Sequence, residues 1–184
     1  MIPGEEGIKQ IIKTYQESFA RKVYGEENED HDVVMDMFGL VPAVKRENRQ
    51  YWGRELGMCW QLVVTELFRA TAKDFKPAYR EGDDELCDLI SGTDAIDTKY
   101  RVGSGDSGTL KKFKQYGKRL IDLGFRPVLL IVREDNLAAA IGACNAGGWK
   151  VYTGTSTFRY IQDKTGVDLK SWLISLGSEF HVIR

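Results

Sequence analysis

Asp88, Asp97 and Lys99 have the side-chain types and the spacing for chemistry on a phosphate. Two carboxylates offer hard oxygen ligands that can share a divalent cation. An ammonium one strand step past the second acid can reach a nucleophilic water or a phosphate oxygen, and the three together suit hydrolysis of a phosphodiester. An Asp-x-Lys pair on the wet face of a strand is by itself common. Here the neighbours Leu86, Leu89, Ile90 and Ile96 are apolar. The three charges are therefore expected inside the fold, where an unpaired charge is costly and a retained one has a ligand or a partner.

The stretch that carries them reads as a hairpin. Residues 86–90 enter, Ser91-Gly92-Thr93-Asp94 turns the chain, and residues 95–101 leave. Alternation at a period of two puts Asp97, Lys99 and Arg101 on one face of the second strand, with Ile96, Thr98 and Tyr100 on the other. Leu86, Asp88 and Ile90 share a face of the first strand, which favours Asp88 as the first acid. Asp83 or Asp84 takes that place if the strand ends earlier.

Other elements must hold this hairpin. Residues 5–23 form an amphipathic helix, with Ile8, Ile11, Ile12, Tyr15, Phe19 and Val23 near helical spacing, and Gly25 stops it. An acidic loop over 26–32 and a short helix over 33–38 follow. A long helix within 47–72 packs through Leu56, Trp60, Val63, Val64 and Leu67. Its second stripe, Glu55, Cys59, Leu62 and Glu66, can turn a carboxylate toward the hairpin. Glu55 is the preferred supporting acid and Glu66 the next, against the plainer reading of both as solvent-facing helix formers.

Residues 75–80 make an edge strand. Past the hairpin, the glycine-rich loop 103–108 lacks the spacing of a nucleotide-binding P-loop. Its amides, Ser104, Ser107 and the start of a helix over 109–123 can meet a DNA phosphate, a plain connector being the alternative. A strand over 126–133, a helix of small residues over 136–146, a strand over 149–152 and short helices over 156–163 and 169–176 complete the order. Helices around a mixed sheet make an α/β sandwich. The 184 residues suffice for one substantial core. Residues 1–46 are expected as a helical cap or arm, 47–152 as the catalytic core and 153–184 as a C-terminal helical extension.

Charge placement points to a polyanionic partner. A formal net charge of −1 argues against a protein coated in positive charge. Yet residues 94–119 hold seven bases against three acids, whereas residues 1–36 hold nine acids and four bases. The positive field gathers beside the three charged residues. No apolar run approaches the roughly 20 residues that span a bilayer, and residues 1–4 lack the pattern of a secretory signal. Cys59, Cys87 and Cys144 lack metal-ligand spacing. A reduced, intracellular and cytoplasmic setting is expected, without a membrane. His31 and His181 stand far apart and make no acid–base or zinc set.

Asp88-Leu89-Ile90-Ser91-Gly92 followed by Ala95-Ile96-Asp97-Thr98-Lys99 resembles the motif of the PD-(D/E)xK nuclease superfamily. That motif is an acid, a turn, and acid-x-Lys on the next strand, and within the superfamily the chain looks most like a type II restriction endonuclease. The resemblance covers roughly residues 47–152. Cys87 stands where a proline commonly precedes the first acid. The resemblance implies a restriction-endonuclease-like sandwich, Mg2+ as cofactor, Asp88 and Asp97 as its ligands, Lys99 orienting or activating water, and Glu55 in the place of a further helix-borne acid. Double-stranded DNA is the implied partner, with Arg101, Ser104, Ser107, Lys111, Lys112, Lys114 and Lys118 expected against it. A palindromic target calls for two active sites, most simply in a homodimer. The alternatives are a repair, recombination or mobile-element nuclease with the same core, a non-catalytic DNA-binding or protein-interaction domain, and a hydrolase of small phosphate esters. The extended basic segment disfavours the last.

Overall fold

The computed structural model describes residues 1–21, 49–103, 105–176 and 179–180. Among the described residues two amphipathic helices come first, α1 (Glu5–Arg21) and α2 (Arg49–Thr71). Five strands follow: β1 (Phe75–Glu81), β2 (Asp84–Ser91), β3 (Asp94–Lys99), β4 (Arg126–Ile131) and β5 (Lys150–Thr153). They form one sheet in the order β1-β2-β3-β4-β5. The first three are antiparallel neighbours, whereas β3, β4 and β5 run parallel. Parallel neighbours need crossovers, which α3 (Ser107–Asp122) and α4 (Ala138–Ala146) supply. Helices α5 (Thr155–Thr165) and α6 (Leu169–Ser175) close the order. The result is an α/β architecture, a mixed five-stranded sheet flanked by helices.

Alternation along the strands sorts the core into two layers. Leu89, Ile96, Val128 and Leu130 pack with Ile8 of α1, with Trp60, Val63, Val64, Leu67 and Phe68 of α2 and with Tyr160 and Ile161 of α5. Ile90, Ala95, Leu129 and Ile131 pack with Phe113 and Leu120 of α3 and with Ala140, Ala143 and Cys144 of α4. Both sheet faces are thus buried, so β4 reads as a continuous apolar run, as a central parallel strand does.

Two local devices hold the central strands and α3 in place. At the β2–β3 turn Gly92 has φ 59°, a left-handed backbone that glycine enters without strain. Just beyond it, Asp94 is 1% exposed and accepts from Arg126 Nε at 2.6 Å and Nη2 at 2.7 Å, from Tyr160 Oη at 2.7 Å and from Lys164 Nζ at 2.8 Å. Burial raises its carboxyl, but hydrogen bonds from Arg126, Lys164 and Tyr160 outweigh burial and leave it below the ordinary carboxylate value. On the other face, Trp149 Nε1 donates to Phe113 O at 2.8 Å, which ties α3 to the start of β5.

The elements fall where hydrophobic period and turn chemistry put them, with shifts at the ends. Helix α3 begins at Ser107, two residues before the expected start, because the Asp106 carboxylate caps it by accepting from Thr109 N at 2.9 Å. Strand β3 ends at Lys99, so Arg101 lies past it. The expected helix over 33–38, the loop over 26–32, most of the cap over 1–46, Ser104, His31 and His181 lie outside the described residues. Among the described residues no helix is long and apolar enough to cross a membrane.

Candidate active site

The ladder between β2 and β3 covers only Ser91↔Asp94, Ile90↔Ala95 and Leu89↔Ile96. Beyond that point β2 continues against β1, with Cys87 opposite Tyr79, while β3 continues against β4, with Asp97 opposite Leu129 and Lys99 opposite Ile131. The two strands separate at Asp88 and Asp97, and a fork opens within the sheet. A fork leaves ladder donors without their usual backbone acceptors, and buried N–H groups need replacements. Asp88 provides one: its Oδ2 accepts from Thr98 N at 2.7 Å and from Thr98 Oγ1 at 2.6 Å.

Asp97 and Lys99 share the β3 face of Ala95, the face covered by α3 and α4. Lys99 Nζ donates to Asp97 Oδ1 at 2.8 Å and to Thr98 O at 3.1 Å. The three side chains are graded from solvent inward: Lys99 is 39% exposed, Asp97 14% and Asp88 6%. Asp88 is the buried member of the three, and the Lys99 side chain keeps part of its surface in solvent.

Their electrostatics follow from that gradient. Burial first, and then repulsion from Asp97, push the Asp88 carboxyl up to about 7, against the pull of Lys99 and of the Thr98 hydrogen bonds. Burial works against the charge on Lys99, but attraction to Asp97 and Asp88 outweighs it, so the ammonium is held above its ordinary value. Two cysteines border the same charges. Burial pushes the Cys87 and Cys144 thiols up to about 12, with Asp97 adding to each, so both are inert neutral packing groups. Glu85 also acts on Lys99 and pairs with Arg80. Glu85 was not expected here; it carries no motif, and a register shift at Tyr79/Arg80 disturbs the β1–β2 ladder beside its position.

Asp97, Asp88 and Glu85 all act on the one ammonium of Lys99. Among the described residues no three of His, Cys, Asp and Glu gather as a metal-holding group. Asp88 and Asp97 alone nevertheless fit Mg2+, which is usually bound through one or two carboxylates and completes its shell with water and substrate phosphates. Both Thr98 donors fall on Asp88 Oδ2. Oδ1 has no protein donor among the described residues.

The other expected site residues divide. Glu55 pairs with Arg54 at 3.1 Å. Burial, then Cys59 and Glu55, raise the Tyr15 hydroxyl of α1, and among the described residues Glu55 joins no metal-holding group with Asp88 and Asp97. Glu66 grips Arg69 at 2.8 Å. Asp84 takes the Tyr116 hydroxyl and Lys112 at 3.4 Å, which ties the β1–β2 turn to α3. Arg101 reaches the loop after β4, donating to Asp135 O at 2.8 Å. Ser107 starts α3 and is exposed, but the helix end it opens is already capped by Asp106. Lys111, Lys114 and Lys118 are exposed, and among the described residues make no ion pair. No family model, no curated protein and no solved structure matches this chain.

Proposed function

We propose that this chain is a Mg2+-dependent endonuclease that hydrolyses phosphodiester bonds of double-stranded DNA, with a restriction-endonuclease-like core of the PD-(D/E)xK kind and the site-specific activity of a type II restriction enzyme. The observation that carries the reading is the convergence of Asp88, Asp97 and Lys99 at the β2–β3 fork, with a buried carboxylate pushed up to about 7. Perturbed acids of this sort gather at functional sites.

Asp88 and Asp97 would hold the metal. When bound, Mg2+ supplies Lewis-acid stabilisation of charge on the phosphate. Lys99, raised above its ordinary value, is a donor and not a free base. It orients water toward phosphorus and offsets charge as the new P–O bond forms and the bond to the leaving oxygen breaks, the attacking water giving its proton to bulk solvent and the leaving oxygen taking one from it. Asp97, at 2.8 Å, aims that ammonium. The exposed Lys111, Lys114 and Lys118 lie at intervals of three and four residues, on one side of α3, and attract backbone phosphates. A palindromic target would bring two copies of the chain together.

The test is cleavage of a pool of duplex sequences with Mg2+ and with chelator. Cleavage should require the metal, and Lys99→Ala should retain folding and DNA affinity while lowering single-turnover cleavage by about 100-fold or more. Metal-free cleavage, or a Lys99→Ala variant that cuts at the wild-type rate, would sink the assignment. The second reading, a DNA-binding domain without catalysis, draws on the lack of a third metal ligand among the described residues. Retention of DNA without cutting in Mg2+ would favour it.

A further inference from the structure

We propose that Thr98 is the positioning residue of this site: its N–H and hydroxyl together hold one oxygen of Asp88 in the fork and leave the other free for a divalent cation shared with Asp97. The inference rests on the metal-dependent reading above and deepens it.

Thr98 is 3% exposed, and its two donors meet the same oxygen at 2.7 and 2.6 Å. Neither donor is free to move. The N–H belongs to β3, which stays laddered to β4 through Thr98↔Leu130. The hydroxyl belongs to a β-branched side chain with few accessible rotamers. Two fixed donors on Oδ2 set the tilt of the carboxylate, and Oδ1 is what remains for a ligand. Closing the ladder gap needs only the backbone N–H. A valine would satisfy burial and strand preference at this position, whereas a buried hydroxyl is costly unless it is bonded. The hydroxyl on Asp88 is therefore the part of Thr98 that packing does not require.

Thr98→Val keeps volume and the N–H but removes the hydroxyl, and Thr98→Ser restores the hydroxyl. Mn2+, a hard dication with the same preference for oxygen, is the probe. Its binding to the full chain without DNA is read from the loss of the free-ion EPR signal, and the Mg2+ dependence of single-turnover cleavage is measured beside it. Thr98→Val should weaken Mn2+ binding by about tenfold or more, since a hydrogen bond to a charged group is lost. It should raise the Mg2+ concentration for half-maximal cleavage while the rate at saturating Mg2+ falls little. Thr98→Ser should stay within about threefold of wild type on both counts.

A Thr98→Val variant that binds Mn2+ like wild type, or a Thr98→Ser variant as weak as Thr98→Val, overturns the proposal. Should Thr98→Val fail to fold, Thr98→Ala replaces it; if neither folds, the hydroxyl is structural and the proposal falls. A wild type that binds Mn2+ no better than Asp88→Ala and Asp97→Ala removes the metal reading itself, and this inference with it. A wild type that binds through those acids, with Thr98→Val unaffected, removes the Thr98 inference alone.

Discussion

Burial and the charge of Asp97 push the Asp88 carboxyl up to about 7, whereas an unfolded aspartate titrates at about 3.9. The folded chain therefore holds a proton at Asp88 more tightly than the unfolded chain, and stability falls as pH rises from about 4 to about 7. Asp88→Asn keeps an acceptor for Thr98 and removes the charge. At about pH 8 in chelator it should be more stable than wild type by about 1–3 kcal/mol, a difference that disappears near about pH 4. Urea unfolding at both pH values reads this, and an equal gain at both would show that ionisation is not the cause. The same substitution should abolish metal-dependent cutting. Asp94 has the opposite sign. Its folded value is lowered, so its contribution is complete above the unfolded value and is lost as pH falls through the lowered one. Within one hairpin, Asp94 is held by its partners to keep the fold, and Asp88 is kept against the preference of its surroundings. That contrast fits the proposed role of Asp88 as a metal ligand.

Helix α3 carries the exposed lysines, and its position depends on close backbone approach. A Cβ at Gly117 would lie 2.3 Å from Gly147 O and 2.6 Å from Trp149 Nε1. The first of these is backbone and cannot swing aside. Gly117→Ala would gain about 1 kcal/mol of helix propensity, yet the overlap forces α3 away from α4 and should leave a net loss of about 1–3 kcal/mol. Gly142→Ala is the matched control, because a Cβ there meets nothing within 4 Å in the interior of α4. It should be neutral or stabilising by up to about 1 kcal/mol. Thermal unfolding of the two variants separates crowding from propensity, and a stabilised Gly117→Ala would mean that α3 does not sit this closely.

Over the whole molecule, a net charge of −1 hides the separation of acids from bases. Part of the basic segment is neutralised within the fold. Arg119 grips Glu81 at 2.8 Å and Lys112 reaches Asp84 at 3.4 Å. Lys111, Lys114 and Lys118 are left exposed over about 10 Å of helix axis. Replacing these three with glutamine should weaken duplex binding for all sequences alike and flatten the plot of log affinity against log salt by about 0.9 for each phosphate that is no longer neutralised. Lys112→Gln should change the slope less, because Asp84 already compensates that charge. An unchanged slope in the triple variant would remove α3 from the proposed DNA contact.

The sequence by itself determined the elements and the motif. Apolar period and turn residues located all five strands and the helices among the described residues to within a few residues, because both signals are local. Alternation placed Asp97 and Lys99 on one face, since period two is a property of any strand. The fork was not legible. The same residues could have paired to the end of the hairpin, and strand separation arises from β2 following β1 while β3 follows β4. The Thr98 clamp on Asp88 depends on that separation. So does the burial of Asp88, which with the charge of Asp97 pushes its carboxyl up to about 7. The pairing of Glu55 with Arg54, the internal cap of Asp106 on α3 and the reach of Arg101 to the loop after β4 were likewise decided in three dimensions. Side-chain charge is written in the sequence, but which opposite charge or peptide group it meets depends on packing between segments far apart in the chain.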